Sequence, residues 1–286
     1  MHAHKALSRS VKVPGRAPTG LMALAVTFGA AFAVAPSRLA AIGMEGGFSS
    51  QRNLVDALSP AFVKYWMSGD QGYPAELQRV VDYWFRFHVF KGILSGALLI
   101  VLSVLAVRLW KAFLRSSGTG ADGNILAFTA ILVSVFALVS LAALMANVQG
   151  AMAPFSSTTA LLPLGAPSGR LAGAIDQIKR GLADYPSTPD QNPVALKAMV
   201  DDFGRYHAVL AVLASVVAVV LIGLSVMAWR RFAVTVRTEV RTRRTMRSFG
   251  VLSALLALSV IVIAVANTGT AAEPAPALLG FYKGGL

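Results

Sequence analysis

With 286 residues, 56% of them hydrophobic and only 14% charged, and a mean hydropathy of +0.64, the chain carries more apolar surface than one soluble core can hide; soluble domains average about 25% charged residues. Its 26 basic against 13 acidic residues leave a formal net charge of +13, but the basic residues cluster in short stretches beside apolar runs and lack a stacking aromatic platform, which points away from nucleic acid. The absence of cysteine excludes disulfide-framed loops and thiol chemistry.

Residues 1–19 form a basic N-terminal stretch, followed by a first apolar segment at 20–37. The same stretch reads as a signal peptide, with an apolar LMALAVTFGAAFAVA ending in the small-x-small triplet Ala33 to Ala35. Pro36 directly after that triplet disfavours cleavage there, and a retained first helix is the expectation. Whether it is cleaved at a later site stays open at this level.

Four further segments, at 89–110, 124–147, 207–229 and 248–268, are each long and apolar enough to cross a bilayer, which takes roughly 20 residues. The expected fold class is therefore an all-α integral membrane protein with five transmembrane helices. Fourteen of the 26 basic residues and only two of the 13 acidic ones, Asp122 and Glu239, fall on the side that holds the N-terminus. By the positive-inside rule that side is cytoplasmic, with the C-terminus outside and the bilayer a plasma membrane whose anionic headgroups face the basic stretches.

The phrase VVDYWFRFH at 80–88 returns as MVDDFGRYH at 199–207. A shift of 119 residues superposes Asp82 on Asp201, Arg86 on Arg205 and His88 on His207, and thirteen of forty positions from Pro74 to Phe113 are identical to those from Pro193 to Phe232. A shift of 120 superposes ANVQGAMAP at 146–154 on ANTGTAAEP at 266–274. The expectation is two parallel tandem repeats and a half repeat. Repeat one spans 20–115 with an outer helical loop at 38–88. Repeat two spans 116–232 with an outer loop at 148–206. An arginine-rich cytoplasmic loop at 233–247 leads to the half repeat and outer tail at 248–286.

Each outer loop is expected to hold two short helices lying on the outer surface, the second loop with Leu171, Ile175, Ile178 and Leu182 at helical spacing and with Asn192 and Pro193 as N-cap and first-turn residue. Asp82 and Arg86, like Asp201 and Arg205, stand four apart and can pair. Trp84, Phe85, Phe87, Phe203 and Tyr206 are the residue types of an interfacial aromatic belt, so the phrase reads as an anchor at the membrane entry.

His88 with Gly92 and Gly96, and His207 with Ala211 and Ser215, share a helix face; such small residues let helices approach closely. If the two helices pack on each other, the two histidines meet near the repeat axis, where a haem or metal site becomes conceivable. Two imidazoles are too few for zinc, His2 and His4 lie on the opposite face in this topology, and no cofactor is expected. Asn147 and Asn267 form a second repeated polar pair, either a polar site at an outer mouth or helix C-terminal caps ahead of Gly150 and Gly269. No nucleotide-binding loop, nucleophile elbow or zinc-helix motif is present, so no catalytic residue is nominated.

Three functions remain open on these grounds. The first is a non-catalytic bacterial membrane protein that binds or organises an envelope partner, lipid or a second copy of itself through its outer loops. The second is a small transporter or channel subunit. The third is a membrane redox or metal protein using His88 and His207.

Overall fold

The computed structural model describes residues 16–44, 48, 50–116, 121–185 and 192–284. Most of the basic stretch at 1–19 thus lies outside the described residues, His2 and His4 with it. Among the described residues there are helices and no strands: α1 (Arg16–Ala40), α2 (Gln51–Ser68), α3 (Ala75–Arg115), α4 (Ala121–Met152), α5 (Pro154–Thr159), α6 (Gly169–Asp184), α7 (Val194–Val234), α8 (Val240–Ala272) and α9 (Pro274–Tyr282). Five of them, α1, α3, α4, α7 and α8, are long and apolar enough to cross a membrane. They leave large apolar side chains facing outward, such as Phe128 at 68% and Val219 at 69% exposure, as lipid contact demands and water forbids.

At 41 residues each, α3 and α7 are about 60 Å long at 1.5 Å per residue, twice the hydrocarbon thickness of about 30 Å. The surplus length in both is N-terminal. There the helices carry Leu77, Val80 and Val81, and Leu196, Met199 and Val200, into a common core. Both begin behind a proline, Pro74 (φ −55°, ψ 152°) and Pro193 (φ −52°, ψ 139°), whose fixed φ starts the helix without needing a backbone N–H. Asn192 is not the N-cap expected from its spacing; it is buried and its amide donates to the Tyr185 carbonyl at 3.2 Å.

A common core is added to the expected architecture. The helical segments between spans share it: α2, α5, α6, α9 and the first turns of α3 and α7 bury Leu58, Phe62, Tyr65, Phe155, Ile178 and Tyr282 together. We call this body the cap. Helix α6 turns Leu171, Ile175, Ile178 and Leu182 into it, as their spacing predicts. Its centre is aromatic, with Tyr65, Tyr73 and Phe155 at centroid distances of 5.0 to 5.5 Å.

Below the cap, α3 packs along α4 and α1, α7 packs along α8, and α4 meets α7 between the two pairs. The two histidine helices pack along α4 and α8 rather than along each other, so the condition under which the histidines would meet is not fulfilled: Gly92 and Gly96 face Asn147 and Leu144 of α4, where an added Cβ would sit at 3.8 Å from each. Two junctions into the cap share a backbone shape. Ala153 between α4 and α5 has φ −134° and ψ 69°, and Glu273 between α8 and α9 has φ −128° and ψ 71°, each followed by proline at the first helical position.

At the far end, two arginines at the start of α8 close two helices. Arg241 donates to the Phe113 carbonyl at 3.2 Å, to Ser116 Oγ at 2.9 Å and to the Ser116 carbonyl, and stands 5.0 Å over the Phe113 ring. Arg243 donates to the carbonyls of Phe232 at 3.2 Å and Thr235 at 2.7 Å, 4.3 Å over the Phe232 ring. The last carbonyls of a helix have no partner of their own, and a cation there is also favoured by the helix dipole.

Candidate functional site

His88 sits where α3 leaves the cap, and its side chain is the hub of a polar chain across three helices. Asn147 of α4 holds its own amide nitrogen against the Ala143 carbonyl at 2.7 Å, which leaves Oδ1 as an acceptor 2.9 Å from His88 Nδ1. The Nδ1 atom therefore carries the hydrogen and Nε2 accepts, from Ser157 Oγ of α5 at 3.0 Å. Ser157 in turn accepts from Trp84 Nε1 at 2.8 Å. Each donor in the chain meets one acceptor, as buried polar groups require. The ring lies against the α4 backbone so closely that a Cβ on Gly150 would come within 2.7 Å of it.

His207 repeats half of this arrangement. Its Nδ1 is 2.7 Å from Asn267 Oδ1 on α8, and Asn267 donates back to the Ile263 carbonyl at 2.8 Å. Its Nε2 has no hydrogen-bond partner among the described residues; Phe203, 4.6 Å away by centroid, stands where Trp84 stands for His88. Neither asparagine caps a helix, since α4 runs on to Met152 and α8 to Ala272. Ala211 is buried and Ser215, exposed, bonds back to the Ala211 carbonyl. The two histidines thus belong to separate helix pairs, each joined to an asparagine of its own pair.

The anticipated ion pairs do not form. Asp82 accepts from Gln78 at 2.7 Å, while Arg86 donates to the Ile42 carbonyl at 3.0 Å. Asp201 is exposed, and the acid that matters is its neighbour Asp202, which is buried and accepts from both the backbone N–H and the hydroxyl of Ser156, at 2.8 and 2.7 Å. Asp202 thereby serves as a cap for α5 supplied from α7, with Arg205 at 3.9 Å. Trp84, half-buried, stacks on Phe87 at 4.9 Å and is tied into the polar chain through its indole N–H.

Ser157, Asp202 and Gln149, whose amide reaches the Tyr206 carbonyl at 3.1 Å, escaped the sequence reading. For Ser157 the run of four hydroxyl residues Ser156 to Thr159, just past Pro154 and Phe155, was the available signal. In the cap, burial and then Asp202 push the Tyr65 hydroxyl up to about 12, and the same two causes raise Tyr73. Among the described residues, no three His, Cys, Asp or Glu side chains gather as a metal site. Comparison with known protein families, with curated proteins and with solved structures found no match.

Proposed function

We propose that this is a non-catalytic, multi-pass membrane protein of the bacterial plasma membrane whose extracytoplasmic cap binds or organises an envelope component, with the N-terminus and the arginine-rich end in the cytoplasm. The carrying observation is the cap: helices from three separate stretches share one buried core, which on this reading is a folded platform outside the lipid. The spanning segments offer no carboxylate at depth of the kind that couples ion movement. The matched His88–Asn147 and His207–Asn267 bonds and the matched junctions at Ala153 and Glu273 support two tandem units plus a half. The basic residues at the Arg241 end support an inward-facing orientation.

The test is photo-crosslinking in intact cells from probes at exposed Met67 in the cap and exposed Val219 in the spanning region. A discrete adduct from position 67 that is missing from position 219 supports the reading. Selective solute flux through proteoliposomes of the purified protein, with no adduct at position 67, replaces it by a transport function.

One observation favours a second reading. Ser157, His88 and Asn147 have the relative placement of nucleophile, base and orienting amide, at 3.0 and 2.9 Å. On that reading the protein is a serine-dependent acyl-transfer enzyme. Covalent labelling by a fluorophosphonate that disappears in Ser157→Ala supports it, and absence of labelling removes it.

A further inference from the structure

The connection between α7 and α8 is strongly basic, and its arginines divide into two sets. Arg241 and Arg243 are spent on helix ends. Arg237, Arg244 and Arg247 are exposed and have no hydrogen-bond or ion-pair partner among the described residues. These three, with Arg243 and Ser248, converge on one concavity of about 540 Å³ over Phe232, and no acidic residue lines it. The positive-inside rule asks for basic residues near a span; it does not ask that they line one hollow, where a bound anion would relieve their mutual repulsion.

A second hollow, of about 300 Å³, lies further along the same two helices, in the apolar zone of the seam between α7 and α8, lined by Ile222, Ser225, Val226, Ala254, Leu258 and Ile261. Arg247, Ala254, Leu258 and Ile261 follow at steps of seven, four and three along α8, so they share one helix face. From Arg247 to Ala254 is about 10 Å along the axis. A cationic hollow at one end of a helix pair and an apolar groove further along the same pair have together the polarity profile of a lipid, charged at one end and aliphatic at the other.

We propose that this seam is a binding site for one anionic phospholipid, its phosphate among Arg237, Arg244 and Arg247 and one acyl chain along the groove beside Leu258 and Ile261. Guanidinium groups suit the phosphate because their planar forks donate two parallel hydrogen bonds to it. The site rests on the membrane reading but not on which face the arginines occupy.

Full-length protein in a mild detergent is titrated with phosphatidylglycerol and, separately, with phosphatidylcholine, and bound lipid is counted by native mass spectrometry. A basic residue beside an anionic headgroup is worth about five-fold in binding. Phosphatidylglycerol should therefore bind in clear preference to phosphatidylcholine, and the double variant Arg244→Gln with Arg247→Gln should lose about 25-fold of that preference while phosphatidylcholine binding stays level. Ala254→Trp, which fills the groove without changing charge, should weaken phosphatidylglycerol as well.

Equal binding of the two lipids, or a preference that survives the double variant, overturns the site. Displacement of the lipid by inorganic phosphate alone, with Ala254→Trp inert, makes the hollow a soluble-phosphate site and equally overturns the lipid assignment. Resistance of the wild-type protein to alkaline carbonate extraction is scored in parallel. Retention without lipid preference overturns the site alone, whereas extraction overturns the membrane reading beneath it.

Discussion

Replacing Tyr282 by phenylalanine removes a hydroxyl near the end of α9 whose oxygen is fully buried and has no hydrogen-bond partner among the described residues. A buried hydroxyl that has lost water and gained nothing costs about 1–3 kcal/mol. The void left by its oxygen is about 10 Å³, and at about 24 cal/mol per Å³ it costs only about 0.2 kcal/mol. The substitution should therefore stabilise the cap by about 1–2 kcal/mol, which moves a thermal midpoint up by about 2–4 °C per kcal/mol in a chain of this size. Tyr65→Phe is the matched control. Its hydroxyl keeps a long bond of 3.5 Å to the Ala195 carbonyl, so its loss should be neutral or mildly destabilising. The assay is thermal unfolding of both variants in one detergent, followed by near-ultraviolet circular dichroism. A lower midpoint for Tyr282→Phe refutes the reasoning.

Gly150→Ala should cost about 1–3 kcal/mol by overpacking, because its Cβ would fall 2.7 Å from a ring held at both nitrogens, whereas Gly223→Ala, with open space around it, should be neutral or gain up to about 1 kcal/mol. Their thermal midpoints must move in this order. Tyr65 is an acid whose folded value is raised, so its contribution to stability is complete below pH about 10 and is lost as pH climbs towards about 12. Phenolate absorbance should show Tyr65 ionising only as the cap melts, and a Tyr65 signal that titrates near pH 10 with the cap intact contradicts this. Arg241→Gln should cost about 1 kcal/mol locally by freeing the Ser116 carbonyl, the Phe113 carbonyl keeping the Ser116 hydroxyl at 2.9 Å, and is read as faster amide exchange confined to the last turn of α3. Unchanged exchange there would show that the cap bond contributes nothing.

Spans were the most legible part of the chain, since length and polarity alone decide whether lipid tolerates a helix. The repeated residues were legible as a list but not as contacts. His88 and Asn147 lie 59 positions apart, and only the register of α3 on α4, set by Gly92 and Gly96, brings them to 2.9 Å. The helical spacing that suggested Asp82–Arg86 was sound, but each residue found a competitor, Gln78 for the acid and the Ile42 carbonyl for the base. The cap was least legible of all. Its core is assembled from short segments far apart in the chain, and no local pattern records that Phe62, Ile178 and Tyr282 will share it.

The contrast between the two histidines turns this into one decisive substitution. Ser157→Ala removes a hydroxyl that serves two buried or half-buried partners at once, Trp84 Nε1 at 2.8 Å and His88 Nε2 at 3.0 Å. It creates two unsatisfied groups where Tyr282→Phe removes one, so its effect should have the opposite sign and a larger size, about 2–4 kcal/mol of destabilisation. His207 lives without such a serine, its Nε2 unpartnered, so an imidazole held through Nδ1 alone is compatible with the fold. The variant should therefore remain folded and carry two histidines of one kind, read as convergence of the His88 and His207 nitrogen shifts in labelled protein. A structural serine produces the stability loss and the convergence while a fluorophosphonate labels neither protein. Labelling of the wild type that is lost with a negligible change in stability assigns Ser157 to catalysis, and the cap then becomes the substrate-binding part of an enzyme.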